Sequence, residues 1–187
     1  MADELIDILT PNGTLTGEVK LKSEAHKKGL WHASVQIWIY TPDGKILIQK
    51  RAKNKDTYPN LWDISVAGHL TAGDSPIDAA IREIEEEIGY RVFKDNLIFL
   101  KTIKKSKQVS SSIIDNEFNY LYIVKLPIII SKLKLQIEEV AEVTLISISD
   151  FENQLKNHPN IFVPHGASYY NFIINTIKQK NNNQKKE

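Results

Sequence analysis

Apolar and polar positions alternate with a period of two through much of the first half of the chain, the spacing of half-buried strands. Residues 4–21, ELIDILTPNGTLTGEVKL, flank Pro11-Asn12-Gly13 with such runs, which predicts a hairpin. A second hairpin follows: HASVQIWIY at 32–40, the turn TPDG at 41–44, then KILIQKRA at 45–52. Further on, LIFLKTIKK at 97–105 and EFNYLYIVKL at 117–126 read as strands joined by a polar loop, SKQVSSS, at 106–112. EVTLISI at 142–148 is another strand. The period then lengthens. SDFENQLKN at 149–157 reads as a helix capped by Ser149 or Asp150, and SYYNFIINTI at 168–177 repeats its apolar residues at helical spacing. KQKNNNQKKE is polar without a period, so residues 181–187 are expected to be disordered.

The clearest helix lies between these strands. Ser75 can cap it, Pro76 suits its first position, Asp78 stands where a capping-box acid belongs, and Gly89 is a natural stop, so a helix should span 76–88. At about 100° per residue, Ile77, Ala80, Ile81, Ile84 and Ile88 share one face, which buries. Glu83 and Glu87 are neighbours on another face, Glu86 lies at its edge, and Glu85 points away. Strands around a central helix, with more helix near the end, define a mixed α/β layer fold.

Composition narrows the classes. With 187 residues and no linker-like stretch, the chain should form one domain over 1–180, residues 1–30 being an N-terminal hairpin extension. A net charge of +1 gives no bulk attraction to nucleic acid or membrane. The longest apolar run, NYLYIVKLPIII, is broken by Lys125 and Pro127 and is too short to span a bilayer. There is no cysteine, which excludes disulfides, thiolate metal sites and a catalytic thiol, and fits a reducing compartment. MADELIDIL carries acids where a secretory signal is basic, so a cytoplasmic location is expected. The early hairpins are compatible with a homodimer.

Against this neutral background, residues 68–90 concentrate acid. A Glu-rich helix face alone is usually solvated surface. Here the helix follows a glycine-containing loop, Gly68–Asp74, and Arg82 stands beside the glutamates. Converging carboxylates are costly unless a cation neutralises them, and hard oxygen ligands suit Mg²⁺ or Mn²⁺. Gly68, five residues, Asp74, seven residues, then Arg82-Glu83-Ile84-Glu85-Glu86-Glu87-Ile88-Gly89-Tyr90 resembles a Nudix box. That family usually has Glu in place of Asp74 and a smaller aliphatic residue in place of Tyr90. The resemblance implies a Nudix α/β/α sandwich, a mixed sheet with a loop–helix–loop catalytic motif. It implies metal held by Glu83, Glu86 and Glu87, with the Gly68 carbonyl as an addition, and Arg82 in the catalytic set. Water would attack a diphosphate linkage.

A second resemblance covers roughly residues 20–125. Lys22, His26, His32, Gln49-Lys50-Arg51 through Lys55, Leu61 through His69, and Asp115-Asn116-Glu117 are similar to type I isopentenyl diphosphate isomerase. In that enzyme, residues at the places of His26, His32, His69, Asp115 and Glu117 hold a metal, and those at Lys22, Arg51 and Lys55 grip the diphosphate. Its cysteine is Ala67 here, and alanine has no proton to give. Its box is usually degenerate, whereas this one is nearly complete. The expectation is therefore a hydrolase of the isomerase-like branch, acting on a nucleoside diphosphate derivative or similar small metabolite, with Glu117, Glu86 or Glu87 as general base. Isomerisation and a non-catalytic metabolite-binding regulator are the alternatives. Trp62 reads as core, and His158 and His165 as surface or capping residues.

Overall fold

The computed structural model describes residues 3–111 and 113–183. In chain order the elements are β1 (Leu5–Leu9), β2 (Leu15–Leu21), α1 (Lys22–Lys28), β3 (His32–Tyr40), β4 (Ile46–Arg51), β5 (Trp62–Asp63), β6 (Val66–His69), α2 (Pro76–Ile88), β7 (Leu97–Ser110), β8 (Ile113–Lys125), β9 (Val140–Ile146), α3 (Ile148–Asn157) and α4 (Ala167–Asn183). This is the expected mixed α/β fold. Hydrogen bonding orders the main strands β5-β4-β3-β8-β7, with β6 on β3 and β9 on β4, while β1 and β2 form their own antiparallel pair. No helix among the described residues is long and apolar enough to cross a membrane.

Two compact units form. The first comprises residues up to Ile37, Ala67–Glu85 and Arg91–Tyr122. Its hairpin pairs Leu5 with Leu21 and Leu9 with Leu15. Ile6, Ile8 and Ala25 close a small core with Leu30, which seats α1 on the hairpin. Gly29 ends α1 in the left-handed conformation at φ 62°, and Asn116 Nδ2 donates to its carbonyl at 2.7 Å, tying the end of α1 to β8. The pattern did not predict α1, because KSEAHKK offers only Ala25 to a core.

The polar loop expected at 106–112 is instead the end of one strand and the approach to the next, with Ser112 outside the described residues. Its burial alternates: Ile103, Lys105, Lys107 and Val109 are half-buried, and the residues between them are exposed. The strand lies at the edge of the sheet, where lysines discourage pairing with other chains.

The second unit comprises Trp38–Val66, Glu86–Tyr90 and the chain from Ile123 onward. Strand β4 pairs along β9 from Ile46–Ile146 to Arg51–Val140. Trp38, Phe151, Phe162 and Tyr170 form its aromatic core, with ring centroids 5.5–6.5 Å apart. Helix α3 begins two or three residues earlier than the pattern implied. Ser147 is the cap, accepting from Asp150 N at 3.1 Å, and Asp150 is its capping partner. Helix α4 continues to Asn183, so 181–183 are helical rather than disordered; the remaining tail, 184–187, lies outside the described residues.

Candidate metal centre and box loop

Four elements of the first unit bring one side chain each to a common point: His26 from α1, His32 from β3, His69 from β6 and Glu117 from β8. Their ligating atoms all lie within 4.8 Å of one another. The Nε2 atoms of His26 and His69 are 3.2 Å apart. Oε1 of Glu117 stands 3.4 Å from His69 Nε2 and 3.6 Å from His32 Nε2.

The protonation pattern follows from the partners. His32 Nδ1 lies 2.9 Å from the carbonyl of Leu30, which can only accept, so Nδ1 carries a proton. That Nε2 is buried and has no hydrogen-bond partner. Asp115 Oδ1 stands 3.1 Å from His26 Nδ1, the outer arrangement of a metal-binding histidine, and Lys105 Nζ is 3.6 Å from the other Asp115 oxygen. Burial pushes the Glu117 carboxyl up, but His32 and His69 facing it hold it well below the usual range. Burial pushes the His69 imidazole down, favouring its neutral form. An ionised carboxylate and three imidazoles thus converge in a largely buried space. A divalent cation satisfies that set, and the donors fit one. Three nitrogens with one oxygen suit a transition ion better than Mg²⁺.

Behind this centre runs a polar chain that the sequence reading missed. Asn119 Nδ2 donates to Glu117 Oε2 at 3.2 Å, and Gln36 Nε2 donates to Asn119 Oδ1. The signal was present as a spacing of two. His32, Ser34 and Gln36 alternate with Ala33, Val35 and Ile37, and Asp115, Glu117 and Asn119 alternate with residues of the opposite face. All of these positions on β3 are buried, so the polar ones face no solvent.

The box loop is organised by Arg82. Its Nη1 donates to Glu83 Oε1 at 2.8 Å, its Nη2 to the His69 carbonyl at 2.9 Å, and its Nε faces Asp74 at 3.4 Å. Asp74 therefore supports the arginine. Gly68 is required by contact: a Cβ there would stand 2.0 Å from Glu83 Cδ. Helix α2 spans 76–88 as expected, and Ser75 Oγ accepts from Asp78 N at 3.3 Å. Glu83 and Glu87 are buried and Glu86 is exposed. In the second unit Gln49 Nε2 donates to Glu87 Oε2 at 3.2 Å.

The expected phosphate-gripping cations all have internal partners. In the first unit Lys22 Nζ stands 3.5 Å from Glu4. In the second, Arg51 donates to Asp63 Oδ2 at 3.0 Å and to the Thr57 carbonyl at 3.0 Å, and Lys55 pairs with Glu139. His165 is not a surface residue: its Nε2 is 2.7 Å from Asp63 Oδ1, and its ring stacks on Tyr169. Burial pushes the Asp63 carboxyl up, but His165 and Arg51 outweigh it and hold the group below its ordinary value. His158 does occupy the C-cap of α3. Trp62 is half-buried, with Lys50 Nζ 5.9 Å from its ring centre.

The NUDIX domain pattern matches residues 30–165. The chain belongs to the Nudix family, as a hydrolase acting on pyrophosphate bonds. It is 35% identical to Nudix hydrolase 3 of Arabidopsis thaliana over 96% of its own length, but spans only 24% of that longer protein. An uncharacterized Nudix hydrolase of Clostridium acetobutylicum is 30% identical, covering 95% of this chain and 98% of its own. An isopentenyl-diphosphate Delta-isomerase of Cereibacter sphaeroides is 28% identical over 76% of this chain and 78% of its own. In fold, a solved protein of Deinococcus radiodurans superposes with a TM-score of 0.62 at 16% identity, covering 83% of this chain and 90% of that one.

Proposed function

We propose that the chain is a divalent-metal-dependent hydrolase that cleaves the diphosphate linkage of a nucleoside diphosphate derivative or similar small metabolite, by attack of water at phosphorus. The observation that carries this reading is the four-ligand cage beside an inert methyl. Ala67 stands two residues before His69 on β6, on the same strand face, where an isomerase would need an acid. The site can hold a cation but offers no thiol to protonate carbon.

His26, His32, His69 and Glu117 would hold one transition ion, Mn²⁺ being the candidate among the expected metals. The box carboxylates Glu83, Glu86 and Glu87 would hold Mg²⁺ or Mn²⁺ with the diphosphate, the Gly68 carbonyl completing that set. Bound metal supplies neutralisation of phosphate oxygens and a water of lowered pKa. Arg82 fixes Glu83 and the loop. Both oxygens of Glu117 are engaged, by Asn119 and by the histidines, whereas Glu86 is exposed, so Glu86 is the carboxylate that would take the proton. Of the three candidate cations, Lys22 is the one whose partner is most easily exchanged for phosphate, because its pair with Glu4 is long and partly solvated.

A panel of nucleoside di- and triphosphates, nucleotide sugars, dinucleotides and isopentenyl diphosphate, with Mg²⁺ and with Mn²⁺, tests the reading. The expected result is metal-dependent release of phosphate-bearing products that Glu86→Gln abolishes. Isomerised isopentenyl diphosphate without phosphate release would establish the isomerase reading instead. Metabolite binding without turnover would establish a regulator.

A further inference from the structure

The chain Gln36–Asn119–Glu117 is buried throughout: Gln36 is 8% exposed, Asn119 1% and Glu117 9%. Its polarity is set from one end. An ionised carboxylate only accepts, so Asn119 must turn its NH₂ towards Glu117. The Asn119 carbonyl is then left to accept, and Gln36 must present its own NH₂ to it. Each amide is oriented by the charge on Glu117. Glu117 in turn has one oxygen taken by Asn119, and only Oε1 remains towards His32 and His69.

Resting on the metal-centre reading above, we propose that Asn119 is a positioning residue. It fixes Glu117 as a single-oxygen ligand, and Gln36 fixes the Asn119 amide. A carboxylate held by a charge-assisted hydrogen bond cannot swing to offer both oxygens or turn away from the histidines. The ordinary alternative is that two amides simply satisfy each other in the core. The two roles separate when both amides are replaced by apolar side chains of similar shape, which leaves no buried group unpaired between them.

The test uses Asn119→Leu, Gln36→Met and the double variant, with Mn²⁺ as the probe, titrated calorimetrically into metal-free protein. His32→Ala identifies which Mn²⁺ site is the histidine centre. Asn119→Leu is expected to weaken Mn²⁺ binding at that site by about 10-fold or more. Gln36→Met should weaken it less. The double variant should recover the part of the thermal midpoint lost through the unpaired Gln36 amide, without recovering Mn²⁺ affinity. Folded Asn119→Leu binding Mn²⁺ within about two-fold of wild type would overturn the positioning role. Wild-type protein whose Mn²⁺ binding is indifferent to His32→Ala would overturn the metal centre itself, and this role with it.

Discussion

Gly68→Ala isolates how the box loop and α2 hold Glu83. The added Cβ would lie 2.0 Å from Glu83 Cδ and 2.2 and 2.3 Å from its two oxygens. Reaching ordinary contact takes that separation to at least 3.4 Å, so the carboxylate must retreat by about 1.4 Å. It cannot retreat freely, being buried and bonded to Arg82, which also holds the His69 carbonyl. Stretching or losing that charge-assisted bond costs about 1–3 kcal/mol. For a chain of this length that lowers the thermal midpoint by about 3–10 °C. The effect on turnover should be larger, because a catalytic group displaced by about 1 Å can lose about 100-fold in rate. Initial rates on the substrate found by the panel give the loss in kcat/KM, and calorimetry gives the midpoint. The decisive arm is a cycle with Glu83→Ala. If the clash is with Glu83, Ala at position 68 adds almost nothing once Glu83 is truncated. Near-wild-type activity in Gly68→Ala, or additive losses in the double variant, would refute the reasoning.

Three further predictions follow from other contacts. Chelation of bound metal should lower the thermal midpoint as well as activity, and Mn²⁺ should restore both in wild type but not in His32→Ala; an unchanged midpoint on chelation would remove the cage from the account. Asp63 has its folded pKa depressed below 3.8, so its contribution to stability is present above that value and is lost as pH falls through the folded pKa; denaturant titrations between pH 5 and pH 2 should show His165→Asn flattening this acid-side loss. Ser34 Oγ is buried without a partner, so Ser34→Ala should leave stability unchanged or raise it by up to about 1 kcal/mol, and a loss exceeding that would show that the hydroxyl is satisfied in solution.

What was legible in the sequence was whatever carried its own local signal. Helix α2 was bounded correctly because Ser75, Pro76 and Gly89 mark its ends independently of anything it touches. Strands β3 and β4 were legible because TPDG fixes their turn. Helix α1 was not, since its stability comes from Ala25 docking on the hairpin and Asn116 holding its last carbonyl, both supplied by distant residues. The same blindness applied to His165. A lone histidine after a proline looks like surface until the fold sets it 2.7 Å from Asp63, 102 positions away in sequence. Arg51 shows the reverse error. Its charge was visible, but its engagement with Asp63 and Thr57 was not.

The face of β3 that bears His32, Ser34 and Gln36 exposes a tension that the rest of the first unit resolves. A strand buried on both faces would be most stable with apolar residues on each, as Val35 and Ile37 provide on one side. On the other side the chain buries a partnerless imidazole nitrogen and a partnerless hydroxyl, next to a carboxylate that burial disfavours. A buried group left unmatched costs about 1–3 kcal/mol, a substantial fraction of a net stability of about 5–15 kcal/mol. Such a cost is retained at sites where something else compensates. The four-ligand geometry fits a cation there: on the proposed reading bound metal would draw these donors into one shared contact, so that the face least favourable to the metal-free fold would become one of its strongest.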